Sequence, residues 1–130
     1  MIRQILLSIM ILSVSLVIAT PGMTGAGTAI AVAAEGQTPA DPVSTVAARC
    51  PWFLLFDDQG SLVEAVANPH RQAVGGAGPL AVDFLAERGV RTVIAGEFGK
   101  KMIDAMKARG ITFRTATGSA ADAVKSMVEK

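Results

Sequence analysis

The chain has 130 residues, with 12 lysines and arginines against 11 aspartates and glutamates, one histidine and one cysteine. This near-neutral balance excludes the basic surface that nucleic-acid binding requires, so we expect no nucleic-acid partner. One cysteine excludes an internal disulfide and any Cys-x-x-Cys metal or redox motif. With His70 as the single histidine, no Ser-His-Asp arrangement can be proposed, and we expect a protein that is not an enzyme.

The N-terminus has the pattern of an export signal. Arg3 precedes an uncharged apolar run from Ile5 to Ala19, and this run is shorter than the roughly 20 residues of a membrane-spanning helix. We therefore predict a signal peptide over residues 1–26 and one domain over residues 27–130. The mature protein would be periplasmic or extracellular, with no stable membrane span. An uncleaved signal would instead anchor it to the membrane.

The stretch "TAIAVAAEGQ", Thr28–Gln37, has two interpretations. Ala31-Val32-Ala33 resembles a signal peptidase site, whereas the continuous apolar run Ala29–Ala34 suits a strand buried on both faces. Periodicity alone leaves both interpretations open. A domain this small has little core to lose, so the rest of the chain must decide between them.

Strands and helices alternate along the remainder of the chain. After a loop, "WFLLFDD" and "SLVEAVAN" predict a hairpin around Gln59-Gly60. A glycine-rich run leads to Pro79, a residue favoured at the start of a helix. The later elements are a strand "VRTVIAG", a helix over about Phe98–Arg109 with Met102, Ile103 and Met106 on its buried stripe, a strand "ITFRTA", and a last helix capped by Ser119 and Asp122. Such alternation predicts an α/β fold of parallel strands, which needs residues 29–34 as a central strand.

Three segments carry a resemblance to a known family. These are "VEAVANPH", "GGAGPLAVDFLAERG" and "VIAGEFGKKMIDAMKARGI", and together with the opening strand they resemble the dinitrogenase iron-molybdenum cofactor biosynthesis family, the NifX-like domains. The resemblance covers about residues 28–130. It implies a three-layer ribonuclease H-like motif with helices on both faces. The implied mixed five-stranded sheet has the order 3-2-1-4-5, with strand 2 antiparallel.

This topology implies a binding site at one edge of the sheet. Strands 1, 3, 4 and 5 would end there and strand 2 would begin there, and ligands of open α/β sheets bind at such an edge, where helix N-termini present N–H groups to anions. The expected cofactor-binding residues are Arg49, Gly75, Gly76, Gly78, Gly96, Phe98, Gly99 and Lys100, and the expected metal ligands are Cys50 and His70.

Each of these residues also has a purely structural interpretation. Cys50 is compatible with a small core residue, His70 with a surface loop residue, and the glycines with turns. Family members commonly carry His-Phe-Gly-Arg before strand 2, where this chain has Val46-Ala47-Ala48-Arg49. Only the arginine matches, so no imidazole ligand can be carried over to that segment.

The resemblance implies a small protein that holds or carries a preformed iron-sulfur, iron-molybdenum or other anionic metal cofactor. Assembly of the nitrogenase cofactor is intracellular, whereas the N-terminal pattern of this chain predicts export, so a literal nitrogenase role is not expected. One cysteine cannot assemble a cluster that ordinarily needs four thiolates, but it suffices where the cofactor brings its own ligands. The alternative is a cofactor-free interaction domain whose edge contacts a client or donor protein. A nuclease built on Asp57, Asp58 and Glu64 is disfavoured, because Asp-Asp before Gln-Gly is ordinary turn chemistry.

Overall fold

A computed structural model describes residues 28–129 of the protein. The predicted signal peptide, residues 1–26, lies outside the described residues, and so does its cleavage. Between residues 28 and 129, no helix is both long enough and apolar enough to cross a membrane.

The described part contains five strands, three α-helices and a short 3-10 turn. In chain order these are β1 (Ile30–Ala34), the 3-10 turn (Ala47–Arg49), β2 (Trp52–Phe56), β3 (Leu62–Ala67), α1 (Ala77–Ala86), β4 (Thr92–Ala95), α2 (Lys100–Ala108), β5 (Thr112–Thr115) and α3 (Ala120–Val128). The strands form one sheet in the order β3-β2-β1-β4-β5. The β1–β4 and β4–β5 pairs are parallel, whereas β2 runs antiparallel to both of its neighbours. The predicted fold class and strand order are confirmed.

The opening alanine-rich stretch is the central strand. All five residues of β1 are buried, because β2 and β4 flank it and helices cover both faces of the sheet. Its side chains alternate between two cores. Ala31 and Ala33 pack toward α1 and α2, while Ile30, Val32 and Ala34 pack toward α3. Cleavage within this strand would therefore remove the middle of the sheet.

The two cores account for the apolar patterns of the helices. On one face, Phe53 and Leu55 of β2 pack with Leu85 of α1 and with Met102 and Met106 of α2. On the other face, the apolar side of α3 packs on Leu54, Phe56 and Ile94. The two methionines on the predicted stripe are thus core residues, as expected.

Two helices begin at different residues from those that the sequence predicts. Helix α1 begins two residues before Pro79, which the first turn tolerates because its N–H groups have no partner within the helix. Helix α2 begins at Lys100 rather than near Phe98, because Gly99 is extended and Phe98 packs against Phe113, with ring centroids 5.2 Å apart.

Candidate functional site

One cavity lies at the carboxyl edge of the sheet, between the 3-10 turn and the first residues of α1 and α2. It has a volume of about 300 Å³ and is lined by Ala48, Arg49, Gly76, Ala77, Gly78, Pro79, Gly99, Lys100, Lys101 and Met102. We call it the basic pocket. It brings together five of the residues predicted to bind a cofactor, namely Arg49, Gly76, Gly78, Gly99 and Lys100.

The two helices meet at Gly78. A Cβ atom on this glycine would lie 2.8 Å from the Cβ of Met102 and 3.1 Å from its Cα. Contacts this short with backbone atoms cannot be relieved by rotating a side chain. The glycine is therefore required for the N-termini of α1 and α2 to lie side by side at the pocket.

Both helix N-termini leave backbone donors available. Their N-caps, Gly76 and Gly99, provide no side-chain cap, and neither first turn contains an acidic residue. The first hydrogen bonds of the two helices run from the Leu80 N–H to the Gly76 carbonyl (3.1 Å) and from the Ile103 N–H to the Gly99 carbonyl (3.0 Å). The amides that precede them can donate to a ligand: Ala77 and Gly78 in α1, since Pro79 has no N–H, and residues 100–102 in α2. The positive ends of two helix dipoles favour an anion there.

The pocket lining is cationic. Arg49, Lys100 and Lys101 line it, and no acidic residue does. The Lys100 Nζ lies 3.1 Å from an oxygen of Asp104, but both side chains are largely exposed. Such a surface pair contributes only about 0.3–0.5 kcal/mol, so Lys100 can exchange this partner for a bound anion. Lys101 forms no ion pair with another residue in the described range 28–129. The sequence analysis did not predict Lys101 as a site residue, although it directly follows Lys100.

The guanidinium group of Arg49 is partly committed to the protein itself. Its Nη1 donates to the carbonyl oxygens of Arg71 (2.9 Å) and Ala73 (2.8 Å), in the loop between β3 and α1. A guanidinium has five N–H groups, so Nη2 and Nε keep three that can reach a ligand.

Cys50 lies in the core and does not line the pocket. Only 1% of it is exposed, and it packs among the residues beneath α1 and α2. Burial raises the pKa of its thiol from 9.0 to about 12, so the group is protonated at neutral pH. Because Cys50 is buried in the core and lies outside the pocket lining, the structure favours its packing interpretation over the metal-ligand interpretation.

His70 also lies apart from the pocket lining. Its half-buried ring packs edge-on against Phe84, with centroids 6.2 Å apart, and its backbone N–H donates to the side chain of Asn68. Asn68 in turn donates to the carbonyls of Ala48 (2.9 Å) and Cys50 (3.0 Å). This buried asparagine joins the end of β3 to the 3-10 turn. The sequence marks this asparagine as one of the most specific parts of the family resemblance, but its structural role was not predicted.

The other three predicted residues lie outside the lining. A Cβ on Gly96 would lie 2.9 Å from the Cα of Thr45, so this glycine admits the neighbouring loop. Phe98 packs on Phe113 and the core. Gly75 is exposed in the loop before α1, with nothing within 4 Å of an added Cβ.

The described residues do not contain a ready-made metal centre. Within residues 28–129, no three His, Cys, Asp or Glu side chains are grouped so that they could hold a metal ion. Asp57, a residue of the disfavoured nuclease hypothesis, accepts hydrogen bonds from the backbone N–H groups of Gln59 and Ser61, both at 2.9 Å. It shapes the β2–β3 hairpin turn.

A second cavity, of about 500 Å³, lies between that hairpin turn and α3. Its lining includes two acids, Asp58 and Glu129, and one base, Lys125, around the apolar side chains of Phe56, Leu62 and Val128. The helix N-terminus at this cavity is that of α3, and the side chain of Ser119 already caps it. An anionic ligand therefore fits the smaller basic pocket better.

The fold and the basic pocket define a class: an α/β domain with a pocket lined by cationic side chains between two helix N-termini. The sequence profile described as "dinitrogenase iron-molybdenum cofactor" matches residues 28–130, and the chain belongs to this family. No curated protein matches it.

Solved structures show the same fold. The apo form of the orange protein from Desulfovibrio gigas is 27% identical, with a TM-score of 0.73, and the match covers 79% of this chain and 88% of that one. A Thermotoga protein assigned as NifB is 29% identical, with a TM-score of 0.67, over 78% of this chain and 88% of that one. A Methanocaldococcus jannaschii protein assigned as a dinitrogenase is 12% identical, with a TM-score of 0.56 over 79% of this chain and 89% of that one, and shares the fold alone.

Proposed function

We propose that this protein holds or carries a preformed anionic metal cofactor, of the iron-molybdenum or iron-sulfur type, in the basic pocket. One observation carries the proposal: two uncapped helix N-termini and three cationic side chains line a single cavity that has no acid in its lining. Membership of the dinitrogenase iron-molybdenum cofactor family supports the choice of cargo.

The chemistry of the pocket suits a cluster that arrives with its own ligands. The lining offers backbone N–H groups, two lysines and an arginine, but neither a thiolate nor an imidazole. Such donors bind the outer atoms and the negative charge of a cluster rather than its metals. Cys50 and His70 would then support the site from outside the lining. The lining also has no nucleophile paired with a general base, which favours a binding role over catalysis.

A titration of the exported protein with isolated iron-molybdenum cofactor, followed by visible absorbance without oxygen, tests the proposal. Lys100→Gln/Lys101→Gln removes two exposed charges at the pocket, worth about 1–2 kcal/mol in total, so affinity should fall about fivefold to thirtyfold. Lys107→Gln is the matched control, because Lys107 is an exposed lysine in the last turn of the same helix. The proposal fails if wild type shows no spectral change, or if the control loses as much affinity as the double variant.

A second candidate is a protein-interaction domain without cofactor, docking a client or donor protein at the same edge. The observation that favours it is the set of exposed apolar side chains on segments that flank the pocket: Val46 (48% exposed), Val74 (104%) and Leu80 (39%). Metal analysis of protein purified without chelators separates the two candidates, since only a cofactor carrier retains a stoichiometric metal.

We also propose export, with residues 1–26 as the signal peptide. The proposal rests on Arg3 and the uncharged run that follows it. Within the residues that the structure describes, the sheet begins at Ile30. Cleavage before Thr28 would therefore leave every described strand in place.

A further inference from the structure

The loop between β3 and α1 has few attachments of its own. Its last backbone hydrogen bond before α1 runs from the Ala73 N–H to the His70 carbonyl (3.1 Å), and the next is the Leu80 N–H to the Gly76 carbonyl. Among the described hydrogen bonds, none involves the N–H groups of residues 74–76, and Val74 is fully exposed. This segment leads directly into the first turn of α1, which begins at Ala77.

Arg49 ties this loop to the 3-10 turn. Its Nη1 spans the carbonyls of Arg71 and Ala73, 22 and 24 residues away along the chain. Among residues 28–129, no other side chain donates a hydrogen bond to a backbone carbonyl of residues 71–76. A planar guanidinium holds two acceptors in fixed geometry, whereas the flexible ammonium of lysine does not.

We propose that Arg49 is a positioning residue: it latches the 71–76 loop so that Gly76 and the first amides of α1 face the basic pocket. This inference rests on the proposed function for its consequence in binding. It differs from the expectation that Arg49 serves only as a counter-charge for the ligand. In both cases Arg49→Ala weakens binding, so the affinity of that variant alone cannot distinguish them.

Gly75 provides the distinguishing variant. Its φ lies outside the left-handed region, and an added Cβ meets nothing within 4 Å. Gly75→Ala therefore fits the loop as it is folded. Because alanine has less backbone freedom than glycine, the substitution should shift the equilibrium from a loosened loop toward the ordered loop by about twofold to fivefold. If Arg49 acts through the loop, this substitution should restore part of the affinity that Arg49→Lys loses. If Arg49 acts only through its charge on the ligand, Arg49→Lys keeps that charge and should lose little affinity, and Gly75→Ala should make no difference to it.

The experiment compares wild type, Arg49→Lys, Gly75→Ala and the double variant by two measurements. The first is amide hydrogen exchange without ligand, followed by NMR at Ala73 and Leu80. Arg49→Lys should raise exchange at both by at least about tenfold, the factor for the loss of one hydrogen bond from a charged donor, while the β1 amides stay unchanged. The second is affinity for isolated iron-molybdenum cofactor, which should fall about tenfold in Arg49→Lys and recover about twofold to fivefold in the double variant.

Unchanged exchange at Ala73 and Leu80 in Arg49→Lys overturns the latch. So does a double variant that binds no better than Arg49→Lys. If wild type does not bind the cofactor, the proposed function fails, but the exchange measurement still decides whether Arg49 holds the loop.

Discussion

Alkylation of Cys50 tests whether this residue is a metal ligand or a core residue. Burial raises the pKa of its thiol from 9.0 to about 12. A shift of three units corresponds to roughly 4 kcal/mol against the thiolate. On the order of one thiol in 100,000 is then ionised at pH 7, about a thousandfold fewer than in the unfolded chain. The surrounding core further blocks the approach of a reagent.

Native protein should therefore react with iodoacetamide at pH 7.5 at least about a thousandfold more slowly than the chain unfolded in guanidinium at the same pH. Mass spectrometry follows the modified fraction over time. A native rate within about tenfold of the unfolded rate would refute the buried, protonated thiol and restore Cys50 as a candidate ligand. In parallel, Cys50→Ala should change cofactor affinity by less than about twofold, because the thiol does not line the pocket.

The same pKa shift makes stability depend on alkaline pH. The folded pKa is raised, so the folded state keeps its proton to higher pH than the unfolded state does. The contribution of the thiol to the free energy of unfolding is intact below pH 9.0 and is lost as pH rises toward about 12. At pH 10.5 the loss should reach about 2 kcal/mol relative to pH 8. Denaturation of wild type and Cys50→Ala at both values isolates this contribution.

Three further predictions follow from the contacts described. Gly78→Ala should lower the free energy of unfolding by about 1–3 kcal/mol and weaken cofactor binding, because it forces α1 and α2 apart. Gly99→Ala has nothing within 4 Å of its added Cβ and should cost only the difference between glycine and alanine at an N-cap, about 0.5–1 kcal/mol. Denaturant titration compares the two variants. His70→Ala should leave cofactor affinity within about twofold while costing under about 1.5 kcal/mol of stability from the Phe84 contact; a large loss of affinity in the absorbance titration would make the imidazole a ligand. N-terminal sequencing of protein recovered from its host tests the proposed signal peptide: it should find a start between Thr20 and Thr28, and a start at Ala34 or Glu35 would contradict β1 as the central strand.

Much of the candidate site could be predicted because topology places it. Once the strands alternate with helices and β2 runs against its neighbours, the loops after β3 and β4 must meet at the carboxyl edge, and the helices after them must begin there. Gly76, Gly78, Gly99 and Lys100 were identified on that ground. Gly96 and Phe98 stand in the same loops but serve packing, since one admits the Thr45 backbone and the other covers Phe113.

The sequence by itself determined the elements, because the hydrophobic period of a segment and its glycine and proline boundaries depend on residues a few positions apart. The alanine-rich run Ala29–Ala34 shows the limit of such patterns: its own composition suits a cleavage site or a strand, the need for a central strand favours the strand, and its pairing between β2 and β4 confirms it. The tertiary structure also decided that Cys50 points into the core, that Asn68 joins β3 to the 3-10 turn, and that Arg49 bonds to carbonyls 22 and 24 residues away. These outcomes depend on which side chains packing brings together across the fold, and no local pattern in the sequence encodes that proximity.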